Sequence, residues 1–300
     1  MPPHCTRDAR TAFAQGGRYP SARRLPCHSL RVRRGWVIRV PASSANVGPA
    51  FDAVAIALAR YIEVSDDGEA APETHPAVRA FRSAGGDGPL SVRAQFPGGR
   101  GLGYSGASRV AGLLAAHAQA GRTAWETRAD VLREAAVLEG HADNVAASLH
   151  GGVVAVAGNR VVRVPIGRDP TVVVWVPERE TATASSRRLL PDQVAFADAV
   201  FNVGRTALLV AALASGEIDA LRTATEDRLH QDRRLARAPD SRGAIDAALR
   251  AGAWAAWLSG SGPSVAAFAD AGAANRIAAA LPANGRAFVV ELDAEGAAIS

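Results

Sequence analysis

Lysine is missing from all 300 residues, so the 34 basic side chains are all arginine. That excludes a P-loop with its lysine on the phosphates, a protein kinase with its strand lysine, and a Schiff base on a lysine amine. Any phosphate handled here must be met by backbone amides, a helix N-terminus, hydroxyls, a metal ion or arginine. Cysteine is nearly absent as well: Cys5 and Cys27 both lie ahead of residue 36. The body therefore has no disulfide framework and no cysteine-based metal site, as expected in a reducing cytoplasm. Long apolar runs are also lacking. The longest uncharged stretch, Ala251 to Ala269, carries Ser-Gly-Ser-Gly-Pro-Ser in its middle, so no membrane span is expected.

What is present is an ordinary globular composition, 48% hydrophobic and 21% charged, long enough for two domains. The net charge of +5 raises the question of a nucleic-acid partner, and its distribution answers it. Residues 1–35 hold eight arginines and one acid, leaving 26 arginines against 28 acids in the remainder. The body is mildly acidic, and nucleic-acid binding is not expected of it. The start, rich in Pro, Gly, Ser and Arg without periodic apolar residues, reads as a disordered tail over 1–35. It has no apolar h-region of a signal peptide.

From Trp36 the pattern changes. Val37 to Pro41 predicts a strand, Ala42 to Asp52 a loop of small residues, Ala53 to Ala59 a helical or extended apolar segment, and Ile62 to Asp67 a further strand. A helix at Pro76 to Ser83 and a strand at Leu90 to Phe96 precede a Gly-rich turn and the helix Arg109 to Ala120. Helices at 125–139 and Ala146 to His150, a hairpin around Gly158-Asn159 and a strand at Thr171 to Val176 follow. Helices are expected at Asp192 to Ala214, Ile218 to Leu229, Ser241 to Ala251 and Ala273 to Leu281. Strands are expected at Ala255 to Trp257, Val265 to Ala269 and Ala287 to Leu292. Strands and helices mix without regular βαβ repetition, which argues for two α+β domains meeting near residue 155.

Three stretches carry chemistry. Gly101-Leu-Gly-Tyr-Ser-Gly-Ala, between a strand and a helix, lets backbone approach a ligand and aims amides and the positive end of a dipole at it. It satisfies Gly-x-Gly-x-x-Gly by letter, yet the second strand and acid of a dinucleotide site do not follow. Glu139-Gly-His-Ala-Asp-Asn144 packs two acids, a histidine and an amide into six residues; its plainer reading is a helix start capped by Asp143 or Asn144. Leu258-Ser-Gly-Ser-Gly-Pro-Ser264 is a hydroxyl-rich turn after a strand.

These stretches in this order, with Pro41-Ala-Ser-Ser-Ala-Asn-Val-Gly-Pro-Ala-Phe-Asp52 ahead of them, resemble the motifs of the homoserine kinases of the GHMP kinase superfamily. The resemblance covers about residues 37 to 295 and includes Arg187-Arg-Leu-Leu-Pro191 and Asp227 to Arg234. It implies the GHMP kinase fold, with a ribosomal protein S5 domain 2-like domain over 36–155 and a ferredoxin-like α/β-plait domain over 156–300. It also implies transfer of the ATP γ-phosphoryl to the side-chain hydroxyl of L-homoserine, in threonine biosynthesis, by a cytoplasmic enzyme for which a homodimer is an expected assembly.

Position by position, the resemblance puts ATP on Pro97, Gly99, Arg100, Gly101, Leu102, Gly103, Tyr104, Ser105, Gly106 and Ala107. Mg²⁺ falls to the Ser105 hydroxyl and the Glu139 carboxylate, with Glu134 a rival for the latter. The amino acid falls to Asn46, Asp52, His141, Arg187 and Arg234: a carboxylate suits an ammonium, and a guanidinium suits a carboxylate. The family carries an asparagine, here Asn144, where mevalonate-type relatives place an aspartate base, so catalysis would rest on Asn144, Ser105 and Glu139 without a dedicated base. Asp227 and His230 are expected to stabilise the segment holding Arg234. The chain departs from the pattern at Tyr104, a serine in the family, where a phenol either stacks on nucleotide or obstructs it. It departs also at Ala50 (glycine), at Ala142 (proline), and in a short Tyr61 to Phe96 segment. The altered loop keeps two alternatives open: a kinase for another hydroxylated metabolite, and a ligand sensor without turnover.

Overall fold

A computed structural model describes residues 35–158, 160–178 and 186–300. The arginine-rich tail, with Cys5, Cys27 and the nucleic-acid reading attached to it, lies outside the described residues except for Gly35, as does Asn159 at the hairpin tip. Two sheets organise the chain. The first contains β1 (Val37–Ala45), β2 (Val54–Ala70), β3 (Ser91–Ala94), β4 (Val153–Ala157), β5 (Arg160–Val164) and β10 (Ala298–Ile299), in the order β10-β1-β2-β4-β5 with β3 also on β2. The second contains β6 (Thr171–Pro177), β7 (Ala255–Leu258), β8 (Val265–Ala269) and β9 (Gly285–Val290), antiparallel in the order β7-β8-β6-β9. With helices between β6 and β7 and between β8 and β9, this is the βαββαβ ferredoxin-like plait.

The expected loop over Ala42 to Asp52 is strand as far as Ala45, and the two expected segments beyond it are one 17-residue strand. Val54 to Leu58 are buried throughout, so they read as an unbroken apolar run that periodicity alone cannot assign. Between Pro41 and Ala42 the register jumps: Pro41 faces Tyr61 while Ala42 faces Leu58, leaving Ala59 and Arg60 as a bulge. Proline has no N–H for the ladder, and the irregularity sits beside it.

Helix α1 (Pro76–Ser83) packs on α2 (Tyr104–Gln119), where a Cβ on Gly112 would strike the Ala77 carbonyl. Helix α2 starts five residues before the expected Arg109, because Gly103, in a left-handed conformation (φ 68°), ends the loop there. Helix α3 (Ala124–Glu139) opens with a Thr123–Glu126 capping box and closes at Gly140, φ 86°, which turns the chain into the acid loop. Helix α4 (Asp143–His150) is buried up to its last residue. Its N-cap is Ala142, so neither Asp143 nor Asn144 serves as the cap.

The last residue of α4 supplies a pH prediction. Burial, then Arg128 and Arg163, lower the His150 pKa to about 4. In the unfolded chain the ring protonates near its ordinary value of about 6.5. Stability is therefore complete above pH 6.5 and falls as the pH drops from there to about 4, where the folded state takes up the proton too. At face value the shift is worth about 3 kcal/mol; partial solvent exposure screens that to about 1–2 kcal/mol. Thermal unfolding between pH 7 and 4 should show this loss, and His150→Gln should flatten it; equal slopes would refute it.

Helices α5 (Phe196–Ser215), α6 (Ile218–Ala224), α7 (Gln231–Leu235), α8 (Pro239–Arg250) and α9 (Ala271–Ala280) complete the chain. The single helix expected over Ile218 to Leu229 stops at Ala224. Thr225 Oγ1 bonds back to the Leu221 carbonyl at 3.0 Å, and the Asp227 carboxylate takes the Leu229, His230 and Gln231 amides. Among the described residues one helix, α5, is long and apolar enough to cross a membrane by length and composition. The stretch weighed in the sequence, Ala251 to Ala269, instead supplies the β7–β8 hairpin.

Candidate active site

The phosphate loop, the acid loop, the end of β1 and the β7–β8 turn line one cleft. From the first come Gly99, Gly101, Gly103, Tyr104 and Ser105; from the second, Glu139, His141, Asp143 and Asn144. Asn46 and Asp52, Arg187 and Arg234, and Gly260 and Ser261 complete the lining. Residues 46 to 261 thus meet around a single space at the N-terminus of α2, where unsatisfied amides and the helix dipole favour an anion.

Two glycines make the loop possible. At Gly101 (φ 77°) a Cβ would overlap the Ser259 carbonyl, and at Gly103 it would overlap the Ser43 hydroxyl and lie 3.0 Å from Asn144 Oδ1. A chain of hydroxyls ties the loop to both sheets. Ser259 Oγ lies 2.8 Å from the Gly101 carbonyl and 2.8 Å from Ser44 Oγ, which also accepts from Trp257 Nε1 at 3.0 Å. These serines are buried, and their bonds explain why polar residues continue β1.

In the acid loop, Asp143 is buried and its Oδ1 accepts from His141 Nδ1 at 2.6 Å and from the Asn144 amide at 2.8 Å. This holds the imidazole with Nε2 3.9 Å from Glu139 Oε1. Asn144 Oδ1 accepts from Ser43 Oγ at 2.9 Å, and Ser148 donates to Ser43 behind it. With its oxygen so engaged, the Asn144 NH₂ is the end offered to a ligand. Glu139 pairs with Arg109, which stands one turn after Ser105 on α2. Glu134 is not part of the lining.

Asn46 and Asp52 both adopt left-handed backbone, φ 57° and 55°, which short polar side chains tolerate best. Asn46 is spent partly on structure, donating to the Gly260 carbonyl and accepting from the Asp52 amide, both at 2.9 Å. Asp52 meets Arg187 Nη2 with both oxygens, at 2.8 and 2.9 Å. The two groups expected to take opposite ends of a zwitterion thus hold each other. Two guanidiniums, those of Arg187 and Arg234, each lie 5.1 Å from the Phe51 ring centre. Arg234 is buried and bonds to His230 Nδ1 and the Gly260 carbonyl; burial, then Arg187, lower its pKa to about 10. His230 passes the support to the Gly48 carbonyl at 2.8 Å.

Several residues expected at the ATP phosphates turn elsewhere. Arg100 turns its guanidinium to the carbonyls of Gly98, Pro177 and Glu178, and Leu102 and Ala107 are buried in the core. Pro97 and Gly106 likewise do not line the cleft, and Gly106 faces the Asn144 side chain instead. Tyr104 turns its hydroxyl to His75, 3.0 Å from Nε2. Sequence reading missed Asp143 as an orienting group, Ser43, and Arg109. The last was legible in its four-residue spacing from Ser105 once α2 is known to start at Tyr104.

Comparison with known proteins shows the family. Residues 73–152 match the GHMP kinases N terminal domain and residues 209–287 the GHMP kinases C terminal. A homoserine kinase of Thermus thermophilus is 41% identical over 257 residues, 78% of this chain and 86% of that protein. One from Streptomyces coelicolor is 38% identical over 291 residues, 87% and 93% of the two chains. The crystal structure of homoserine kinase from Cytophaga hutchinsonii superposes with a TM-score of 0.76 at 25% identity, covering 88% of this chain and 96% of that one. A mevalonate kinase structure, at 11% identity and TM-score 0.64, shares the fold. The chain belongs to the GHMP kinases and, within them, to the homoserine kinases.

Proposed function

We propose that this chain transfers the γ-phosphoryl group of ATP to the side-chain hydroxyl of L-homoserine, giving O-phospho-L-homoserine for threonine biosynthesis in the cytoplasm. The observation that carries this is the shared cleft: the glycine loop and Ser105 line the same space as Asp52, Arg187 and Arg234. The homoserine carboxylate would be taken by Arg187 and Arg234 and its ammonium by Asp52, each separating from the internal Asp52–Arg187 pair. The amides of Gly101 to Ser105 and the N-terminus of α2 would hold the phosphates.

Among the described residues the Ser105 hydroxyl has no protein partner; with the Glu139 carboxylate and phosphate oxygens it would form a donor set suited to Mg²⁺, which takes few protein ligands. Ser105 and Glu139 would hold the ion, Arg109 yielding the carboxylate, and the ion would supply neutralisation of phosphate charge. Phosphoryl transfer runs through a loose transition state, so positioning and neutralisation supply most of the acceleration. No base is then required of Asn144, whose NH₂ would orient the acceptor hydroxyl or a phosphate oxygen. The same reading includes a homodimer, which the exposed Phe196, Val200 and Val203 on α5 would suit; light scattering of the purified chain checks it.

Purified chain supplied with Mg·ATP and L-homoserine should release ADP, and Ser105→Ala should lower that rate at least about a hundredfold, the scale of losing one transition-state donor. No release above the Ser105→Ala control, or homoserine serving no better than mevalonate, pantoate or shikimate, would overturn the assignment.

A further inference from the structure

His75 and the Tyr104 hydroxyl have no assigned task in the transfer proposed above, yet three contacts fix them. His75 is the N-cap of α1, its Nδ1 accepting from the Ala77 amide at 3.1 Å. An imidazole nitrogen that accepts carries no proton, so in the neutral ring the hydrogen is on Nε2. Nε2 lies 3.0 Å from Tyr104 Oη and therefore donates to it. Burial lowers the pKa of His75 and raises that of Tyr104, which keeps both groups neutral. The hydroxyl thus receives one hydrogen bond and retains its own hydrogen, with no protein acceptor for it among the described residues. The ring is set edge-on against Phe96 at 5.9 Å, and a Cβ on Gly98 would touch it at 3.4 Å.

The two flanks of the phosphate loop face different neighbours. Gly101 and Gly103 meet Ser259, Ser43 and Asn144, on the side of the amino-acid groups. Tyr104 meets a different set, Gly98, Phe96 and His75, while still lining the cleft. With phosphates against the amides between these flanks, the part of ATP that projects past Tyr104 is the nucleoside.

We propose that Tyr104, aimed by His75, donates a hydrogen bond to an acceptor on the nucleoside of ATP, so that the pair sets nucleotide affinity in this chain. This rests on the ATP-dependent transfer proposed above. Tyr104 is the ligand contact, and His75 is a positioning residue acting through it.

The test titrates Mg·ATP into the unaltered chain, Tyr104→Phe, His75→Asn and the double variant, with ADP release from homoserine measured in parallel. Tyr104→Phe should weaken ATP binding about three- to tenfold, the worth of one hydrogen bond, and move the KM for homoserine less than about twofold. His75→Asn keeps a good N-cap residue, so its thermal midpoint should stay within about 2 °C. Its amide is too short to reach Tyr104, so ATP binding should still weaken. In that background Tyr104→Phe should cost less than it does alone, the mark of coupled residues. Repeating the series with 2′-deoxyATP tests one acceptor: a vanished Tyr104→Phe penalty means the 2′-hydroxyl and a persistent one means another acceptor of the nucleoside, and both support the proposal.

ATP affinity within twofold of the unaltered chain in Tyr104→Phe, or equal penalties in both backgrounds, would overturn it. A chain that binds Mg·ATP yet does not phosphorylate homoserine would refute the acceptor assignment and leave the tyrosine test readable. An unaltered chain that binds no Mg·ATP would overturn both.

Discussion

Asp52→Asn lowers kcat/KM for L-homoserine at least about a hundredfold, the largest effect we expect from a single isosteric change. Asparagine tolerates the left-handed backbone at this position (φ 55°) as well as aspartate does, so the fold is kept. What disappears is the negative charge. On the proposed reading the substrate ammonium would lose its counter-ion, and Arg187 loses the partner that holds it at 2.8 Å. Charge-assisted hydrogen bonds are worth about 1.5–3 kcal/mol each, and about 2.7 kcal/mol is a hundredfold in rate. Steady-state kinetics with homoserine varied at saturating Mg·ATP read the effect directly. A change below about threefold would mean that the ammonium is held elsewhere.

A second large effect belongs to Gly103→Ala. The added methyl would overlap the Ser43 hydroxyl and crowd Asn144, at a backbone angle (φ 68°) that an alanine adopts at a cost of about 1–2 kcal/mol. Because Ser43 orients the Asn144 amide at 2.9 Å, the collision displaces both the loop and the amide proposed to orient the acceptor hydroxyl or a phosphate oxygen. We expect ATP affinity to fall at least about tenfold and stability by about 2–4 kcal/mol, in the range for strain combined with overpacking. Nucleotide titration and thermal unfolding measure the two losses separately. Adding Ser43→Ala removes the overlap without changing the backbone angle, so it should recover part of the stability and little of the affinity. Full recovery of both would place the defect in packing alone.

Much of the site was legible in the sequence because its groups sit in short runs whose residue types have few other uses. Gly101 to Ser105, Glu139 to Asn144 and Pro41 to Asp52 announce an anion cradle, an acid loop and a polar turn. The lack of lysine narrows the means of holding phosphate to what those runs contain. The parts that escaped were those decided by contacts across the chain. Nothing local says that Ser43 and Ser44 continue a strand; their hydroxyls are satisfied by Asn144, Trp257 and Ser259, from 101 to 215 residues away. The bulge at Ala59 and Arg60 hid the unity of β2, since the apolar pattern changes phase there. Arg100, placed among the phosphate ligands by its position in the motif, is drawn to carbonyls at the end of β6 that no motif records. Side-chain direction, unlike residue type, is set by tertiary surroundings.

The hydroxyl relay from Trp257 through Ser44 to Ser259, which donates to the Gly101 carbonyl, also bears on how the molecule can be taken apart. The nucleotide cradle is stitched at its bend to the partner sheet, so a fragment ending near residue 155 would carry all the loop's glycines and still lack the wall they lean on. Splitting the gene there and mixing the two products should restore phosphotransfer only to the extent that this seam re-forms.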